Sequence, residues 1–164
     1  MLQAIPKGDR GELAVELMTE VGVDVIVPWA ADRCVARWRG DRGLKSAERW
    51  RSAAFQAAKQ ARRAWFPRLA GLAGLAEAAA AVRAASLAVL LDPDAAVPLA
   101  GLTVPPDGEV VLVVGPEGGL SPAEDQALQE AGAVPARLGP SVLRASTAGA
   151  VAAAIMLSRS ARWP

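Results

Sequence analysis

A glycine-rich turn marks the stretch of this 164-residue chain whose residue types and spacing point to chemistry. Gly115-Pro116-Glu117-Gly118-Gly119 follows an apolar run, Val110 to Val114, that reads as a strand buried on both faces. Three glycines and a proline demand turn geometry and let a ligand approach the main chain closely. Ser121-Pro122-Ala123-Glu124 comes next, a capping box with proline at the first helical position. It predicts a helix to about Glu130 or Ala131, closed by Gly132. A short strand, Val134 to Leu138, then leads into a second loop, Gly139 to Ser146, and a helix of small residues from about Thr147. Ser146 or Thr147 is its expected cap. Two strand–loop–helix units in succession put both loops at the carboxyl edge of a largely parallel sheet, where open α/β sheets take their ligands.

What the chain lacks narrows the chemistry. No Gly-Lys-Ser/Thr follows the glycines, and the G-x-G-x-x-G spacing is absent, so neither a P-loop nor a dinucleotide fingerprint is present. Taken alone, the glycine loop reads equally well as a tight turn. With no histidine and one cysteine, Cys34, histidine catalysis and ordinary zinc sites are excluded, and no metal is expected. A lone cysteine forms no internal disulfide, which suits a reducing cytoplasm. Hydrophobic residues at 52% and charged ones at 21% describe one folded domain, residues 1–164. No apolar run has the length of a membrane span, and no signal-peptide pattern opens the chain.

The order GPEGG-L-S-x-x-E (115–124), Leu138-Gly139, then V-L-R-A-S-T-A (142–148) resembles the end of the SPOUT methyltransferases. It is most similar to the RsmE-type enzymes, which methylate N3 of a uridine in small-subunit ribosomal RNA. Their pattern reads GPEGG-F-S-x-x-E, then L-G-x-x-I-L-R-x-E-T-A; Ser146 stands where they carry glutamate. PKGDR (6–10) and TEVGVDVIVPW (19–29) resemble the start of the same domain. QAAKQARRAWFP (56–67) matches a third family segment at Gln60, Arg63 and Pro67, with Lys59 in place of glutamate and Ala61 in place of serine. The likeness runs from Gln3 to about Ser158.

This resemblance implies a SPOUT-type, mostly parallel α/β sheet whose carboxyl-terminal part, from about Ser86, forms a deep trefoil knot around S-adenosylmethionine. Implied cofactor contacts are Leu91, Gly115, Pro116, Glu117, Gly118, Gly119, Leu138, Gly139, Val142, Leu143 and Ala148. Family members also carry an amino-terminal RNA-binding domain of the PUA type, and the chain is expected to be the catalytic domain alone. Uracil N3 belongs to a weakly acidic imide, so a cation beside it favours the anion that accepts the methyl group. Arg144 is the candidate for that catalytic role; bracing the fold through a carboxylate is its other reading. Two further functions remain open: another SPOUT target such as a ribose 2′-hydroxyl, and a cofactor-binding RNA module with little activity.

Charge points toward RNA independently. Residues 33–68 hold 11 Lys and Arg against Asp41 and Glu48, whereas the segments on either side are net acidic. Such asymmetry is the footprint of a nucleic-acid surface. Trp38, Trp50 and Trp65 interleave with the charges as stacking partners for unpaired bases would. Arg33, Arg49, Lys59, Arg62 and Arg63 are the candidate RNA contacts. A solvated basic face with core tryptophans is the competing reading. The resemblance makes that RNA the small-subunit ribosomal RNA or the small ribosomal subunit, with no membrane involved.

The elements that must position these groups follow from periodicity. A strand at Leu2–Ile5 leads to a helix over Arg10–Val21, capped by Asp9 with Glu12 and closed by Gly22. Val23–Val27 reads as a buried strand, and Arg33–Gly43 as an edge strand or RNA-facing loop. A helix runs from Ser46 to about Arg63, an alanine helix starts near Leu75, and Leu87–Leu91 is a strand. Asp94–Gly108 connects it to the central strand with one helical turn. The last helix, apolar nearly all round, is expected to be buried nearly all round. One side would cover the domain, and the other would meet a second subunit in a two-fold homodimer or the alanine-rich segment around Leu75 to Ala85.

Overall fold

The computed structural model describes residues 1–163 as a three-layer α/β/α domain. Six strands form one sheet: β1 (Leu2–Ala4), β2 (Val25–Trp29), β3 (Arg68–Leu69), β4 (Leu87–Leu91), β5 (Val110–Val114) and β6 (Val134–Ala136). All pair in parallel, in the order β3-β2-β1-β5-β4-β6. Right-handed crossovers sort the helices by the direction of each step across the sheet. Helices α1 (Arg10–Val21), α2 (Gly40–Gln60) and α5 (Ala145–Leu157) cover one face, and α3 (Leu75–Ala84) and α4 (Pro122–Glu130) the other. Each face has its own core. Met18, Ile26, Val89, Leu99, Leu112 and Met156 fill the first; Leu2, Trp29, Leu90, Val113 and Leu128 fill the second.

Helix α1 occupies the predicted residues, with Gly22 left-handed (φ 112°) and its N–H donating to Met18 and Thr19 carbonyls. The expected Asp9 side-chain cap does not form. Strand β2 begins two residues later than its apolar run suggests, because Val23 N–H donates to Met18 O and finishes the helix instead. Pro28 lies inside the strand. Its carbonyl accepts from Ala73 N–H, and its missing donor falls where β3 has already ended. Helix α2 starts at Gly40 rather than Ser46, and β6 stops at Ala136. Helix α4 carries the predicted capping box: Ser121 Oγ accepts from Glu124 N–H, and Glu124 Oε2 accepts from Ser121 N–H at 2.8 Å.

Helix α5 begins at Ala145 with Arg144 as its cap residue, so neither Ser146 nor Thr147 caps it. Ser146 lies inside the helix, 2% exposed, with no hydrogen-bond partner for its hydroxyl among the described residues. The helix packs on α1, β5, β1 and the 3-10 turn Leu99–Gly101. The alanine-rich helix α3 sits on the opposite face and does not cover it. Ala148, Gly149, Ala152, Ala153 and Met156 are buried, leaving Thr147, Val151 and Ile155 as a partly open stripe. None of the described helices is long and apolar enough to cross a membrane.

Candidate functional site

Strands β4, β5 and β6 end at one edge of the sheet, and the segments that follow them enclose a cleft of about 740 Å³. Leu91 ends β4 and is followed by Asp92, Pro93 and Asp94; after β5 come Gly115, Pro116, Glu117, Gly119 and Leu120. After β6 come Leu138, Gly139, Ser141, Val142 and Leu143, then Arg144, Ala145 and Ala148 of α5. Every residue singled out for the cofactor except Gly118 lines this cleft, and so does Arg144. No atom lies within 4 Å of where a Cβ on Gly139 would stand, so its main chain is open to approach.

Gly118 departs from expectation. A Cβ there would meet Arg33 Cβ at 3.3 Å, so the residue backs onto the loop after β2 rather than facing the cleft. The left-handed glycine is its neighbour, Gly119, at φ 72°. Conformational freedom is therefore needed at Gly119.

The wall is held from three sides. Trp29, fully buried, donates from Nε1 to Val114 O at 3.0 Å and fixes the end of β5 just before the glycines. Arg33 donates from Nη1 to Gly118 O at 3.2 Å. Glu124, 2% exposed, uses its second carboxylate oxygen to accept from Asp32 N–H at 2.7 Å. Ser121 Oγ donates to Asp32 Oδ2 at 2.9 Å. One glutamate thus closes the helix cap and pins the loop after β2 to the loop after β5. The capping box was visible in sequence; the second partner was not.

The basic segment divides. Arg33 lines the cleft. Helix α2 then runs antiparallel to the strands, and its far end lies beside the start of β2, at the opposite edge of the sheet. There Arg63 donates to Thr19 O, Val23 O (2.6 Å) and Asp24 Oδ1 (2.9 Å), with its side chain 9% exposed. It is a structural clamp. Lys59 and Arg62 share that far edge, Lys59 over the Phe55 ring at 5.4 Å and Arg62 exposed at φ 51°. Arg49, midway, pairs with Glu12 at 2.8 Å.

The tryptophans are not a stacking platform at the cleft. Trp50 is 4% exposed, packed edge-on to Trp38 at 4.9 Å and pressed against Gly11. Trp65 is exposed at the far edge and donates to Asp24 Oδ1 at 2.9 Å. Asp24 also accepts from Arg162. Burial raises its pKa, but the hydrogen bonds from Trp65 and Arg162 and the charges of Arg162 and Arg63 outweigh it, and the net shift is downward.

Sequence reasoning missed three carboxylates in the cleft, Asp92, Asp94 and Asp125. Asp92 follows β4 directly, a position the carboxyl-edge rule could have flagged; Asp125 carries no signal beyond its place in the first turn of α4. The Cys34 thiol is buried, and burial pushes its pKa up. Among the described residues, no three His, Cys, Asp or Glu side chains gather as a metal site.

Known proteins share both the sequence and the fold of this chain. Residues 1–157 match the model of an RNA methyltransferase domain. Ribosomal RNA small subunit methyltransferase E of Mycobacterium bovis is 46% identical over 167 residues, covering 99% of this chain and 64% of the relative. This chain therefore spans about two thirds, and not the whole, of that protein. A protein of Legionella pneumophila, described as a methyltransferase and solved with bound S-adenosylmethionine, superposes with a TM-score of 0.89 at 31% identity. It covers 97% of this chain and 65% of that one. Ribosomal RNA small subunit methyltransferase E of Neisseria gonorrhoeae, bound to S-adenosylmethionine, gives 0.83 at 29% identity, with 96% and 64% covered.

Proposed function

This chain belongs to the RNA methyltransferase domain family, and from that premise we propose that it methylates N3 of a uridine in small-subunit ribosomal RNA, using S-adenosylmethionine. The observation that carries the reading is the convergence of three strand-end loops on one cleft, with Arg144 beside it at the start of α5.

The residues present fit that cofactor. Leu91, Leu138, Val142 and Leu143 suit a neutral adenine, and the open main chain at Gly139 and the glycine loop permit hydrogen bonds to its edge. Asp92, Asp94 and Asp125 suit a ligand that carries cationic sulfonium and ammonium groups together with ribose hydroxyls. When bound, S-adenosylmethionine supplies a methyl group activated by its sulfonium. The protein's part is positioning and electrostatics. Arg144 stabilises negative charge on the uracil carbonyl oxygens as the N3 proton leaves to water. The first N–H groups of α5, which no side chain caps, add positive potential at the same place.

The proposed fold detail is a trefoil knot. Its support is the Asp92–Gly108 connector, which passes outside β6 and bonds to it. Arg137 N–H donates to Val97 O at 2.9 Å, and Leu99 N–H to Arg137 O at 2.8 Å. Helix α5 packs against the 3-10 turn of that connector. A two-fold homodimer through the stripe Thr147, Val151 and Ile155, acting in the cytoplasm, completes the reading.

Calorimetry with S-adenosylmethionine, then methyl transfer to small ribosomal subunits with nucleoside mass spectrometry, tests it. The expected product is 3-methyluridine. A ribose-methylated nucleoside would overturn the N3 assignment, and a protein with no cofactor affinity would overturn the whole reading.

A further inference from the structure

Beside the main cleft lies a second cavity of about 470 Å³, lined by Lys7, Gly8, Arg10, Val35, Glu117 and Arg144. It shares Glu117 and Arg144 with the cleft, so the two spaces adjoin. Its charge is of the opposite kind. Four carboxylates, Asp92, Asp94, Glu117 and Asp125, outnumber Arg33 and Arg144 in the larger space; here three cations face one carboxylate. Those cations come from separate places, Lys7 from the turn between β1 and α1, Arg10 from the first residue of α1 and Arg144 from the cap of α5. Among the described residues none of the three forms an ion pair. Unpaired cations gathered on one cavity favour an anionic ligand. The amino end of α1 opens here as well, and Asp9 leaves it uncapped.

We infer that this second cavity seats one nucleotide of single-stranded RNA, its phosphate held by Lys7 and Arg10 and its base directed toward Arg144. The inference rests on the methyltransferase reading and extends it to the acceptor. Size agrees, since small-ligand pockets run from about 300 to 1,000 Å³. Charge sets the orientation. Glu117, whose Oε1 accepts from Lys7 N–H at 3.3 Å, stands on the boundary with the cleft and repels a phosphate placed there. The phosphate therefore takes the outer side, beside Lys7 and Arg10, and the neutral base the inner side. Val35, 69% exposed, offers an apolar surface to the base or sugar. The base then sits between its phosphate anchor and the space assigned to the cofactor, as methyl transfer requires. An RNA phosphate is favoured over the cofactor's own carboxylate because the cations border the cleft from outside it; Lys7 and Arg10 do not line the cleft itself.

The test is Lys7→Gln with Arg10→Gln, probed with a short fluorescent oligouridylate across a salt series and, separately, with S-adenosylmethionine by calorimetry. The double variant should weaken oligouridylate binding about ten-fold and flatten the log–log salt slope by about 0.7, the value for one single-strand phosphate contact. Cofactor affinity should stay at the wild-type value. Arg83→Gln, which removes one exposed charge on α3, should change neither. Should the double variant fail to fold, Lys7→Glu at its exposed loop position gives the same answer. An unchanged salt slope overturns the inference, as does a wild-type protein that ignores the probe at low salt. A parallel loss of cofactor affinity overturns it too, since the anion held would then be the cofactor's carboxylate. RNA binding that depends on Lys7 and Arg10 in a wild-type protein that transfers no methyl would refute the methyltransferase reading and leave this site standing.

Discussion

Replacing Glu124 with glutamine changes neither its size nor its shape, and it isolates what the buried carboxylate does. One oxygen accepts from Asp32 N–H at 2.7 Å and the other from Ser121 N–H at 2.8 Å, in a side chain 2% exposed. A glutamine can accept only one of these bonds. Its amide group must turn an N–H toward the other donor, which leaves a buried N–H unpaired. A net hydrogen bond to a charged group contributes about 1.5–3 kcal/mol, and an orphaned buried donor costs about 1–3 kcal/mol. These overlap, so about 3 kcal/mol is the expected loss. At about 2–4 °C per kcal/mol for a domain of this size, thermal unfolding should fall by about 6–12 °C. The affected loops carry Arg33 and the glycine turn, so S-adenosylmethionine affinity should weaken as well. Differential scanning fluorimetry and calorimetry read the two effects. A melting temperature within about 2 °C of wild type would show that Glu124 does not pin the loops together.

Three further outcomes follow from the same geometry. Gly119→Ala forces a side chain into a left-handed conformation (φ 72°) and should cost about 1–2 kcal/mol, weakening cofactor binding in calorimetry. Gly118→Ala meets only Arg33 and should bind nearly as well as wild type; the reverse ranking would refute the loop geometry. Asp24→Asn should cost about 1–2 kcal/mol at neutral pH by weakening the bonds from Arg63, Trp65 and Arg162. Because the folded-state pKa of Asp24 is depressed, its contribution is fully present above the unfolded value of roughly 3.9 and is lost as pH falls through the lower folded value. The two proteins should therefore converge in stability in acid denaturation below about pH 4. Arg63→Gln should destabilise the protein without altering the salt dependence of RNA binding, which urea denaturation and anisotropy separate.

What could be read in the sequence was whatever a local signal decides. The Ser121–Glu124 box placed α4, Gly22 closed α1, and the apolar runs Leu87–Leu91 and Val110–Val114 are strands because nothing competes for their main-chain groups. Motif order also brought ten of the eleven proposed cofactor contacts to one cleft. The failures are tertiary. Val23 looks like a strand residue but spends its N–H on closing a helix. Arg63 looks like an RNA contact, yet the main-chain carbonyls that claim it lie some forty residues away. The interleaving of tryptophan with arginine suggested stacking, whereas Gly11 opens the space that takes Trp50 into the core. Spacing names a loop; it does not say which glycine in that loop is left-handed.

The divided basic segment leads to a last prediction, about assembly. Helix α2 has 21 residues and so spans about 30 Å, which separates Lys59 and Arg62 from the cleft by the depth of the sheet. In a lone subunit, one nucleotide cannot touch both. A two-fold partner docked on the open stripe of α5, Thr147, Val151 and Ile155, offers a second set of basic residues to the same RNA. Neutralising Lys59 and Arg62 should then weaken RNA binding in the dimer. Val151, 39% exposed at the middle of the stripe, is the place to break it. Val151→Glu puts an unpaired charge into the contact, and light scattering should report a monomer. In that background the Lys59→Gln, Arg62→Gln pair should have no further effect on RNA affinity, because no second subunit presents those side chains. A wild-type protein that is monomeric at micromolar concentration would refute the dimer. An equal loss of RNA affinity in the monomeric background would show instead that Lys59 and Arg62 meet RNA on their own subunit, at the edge away from the chemistry.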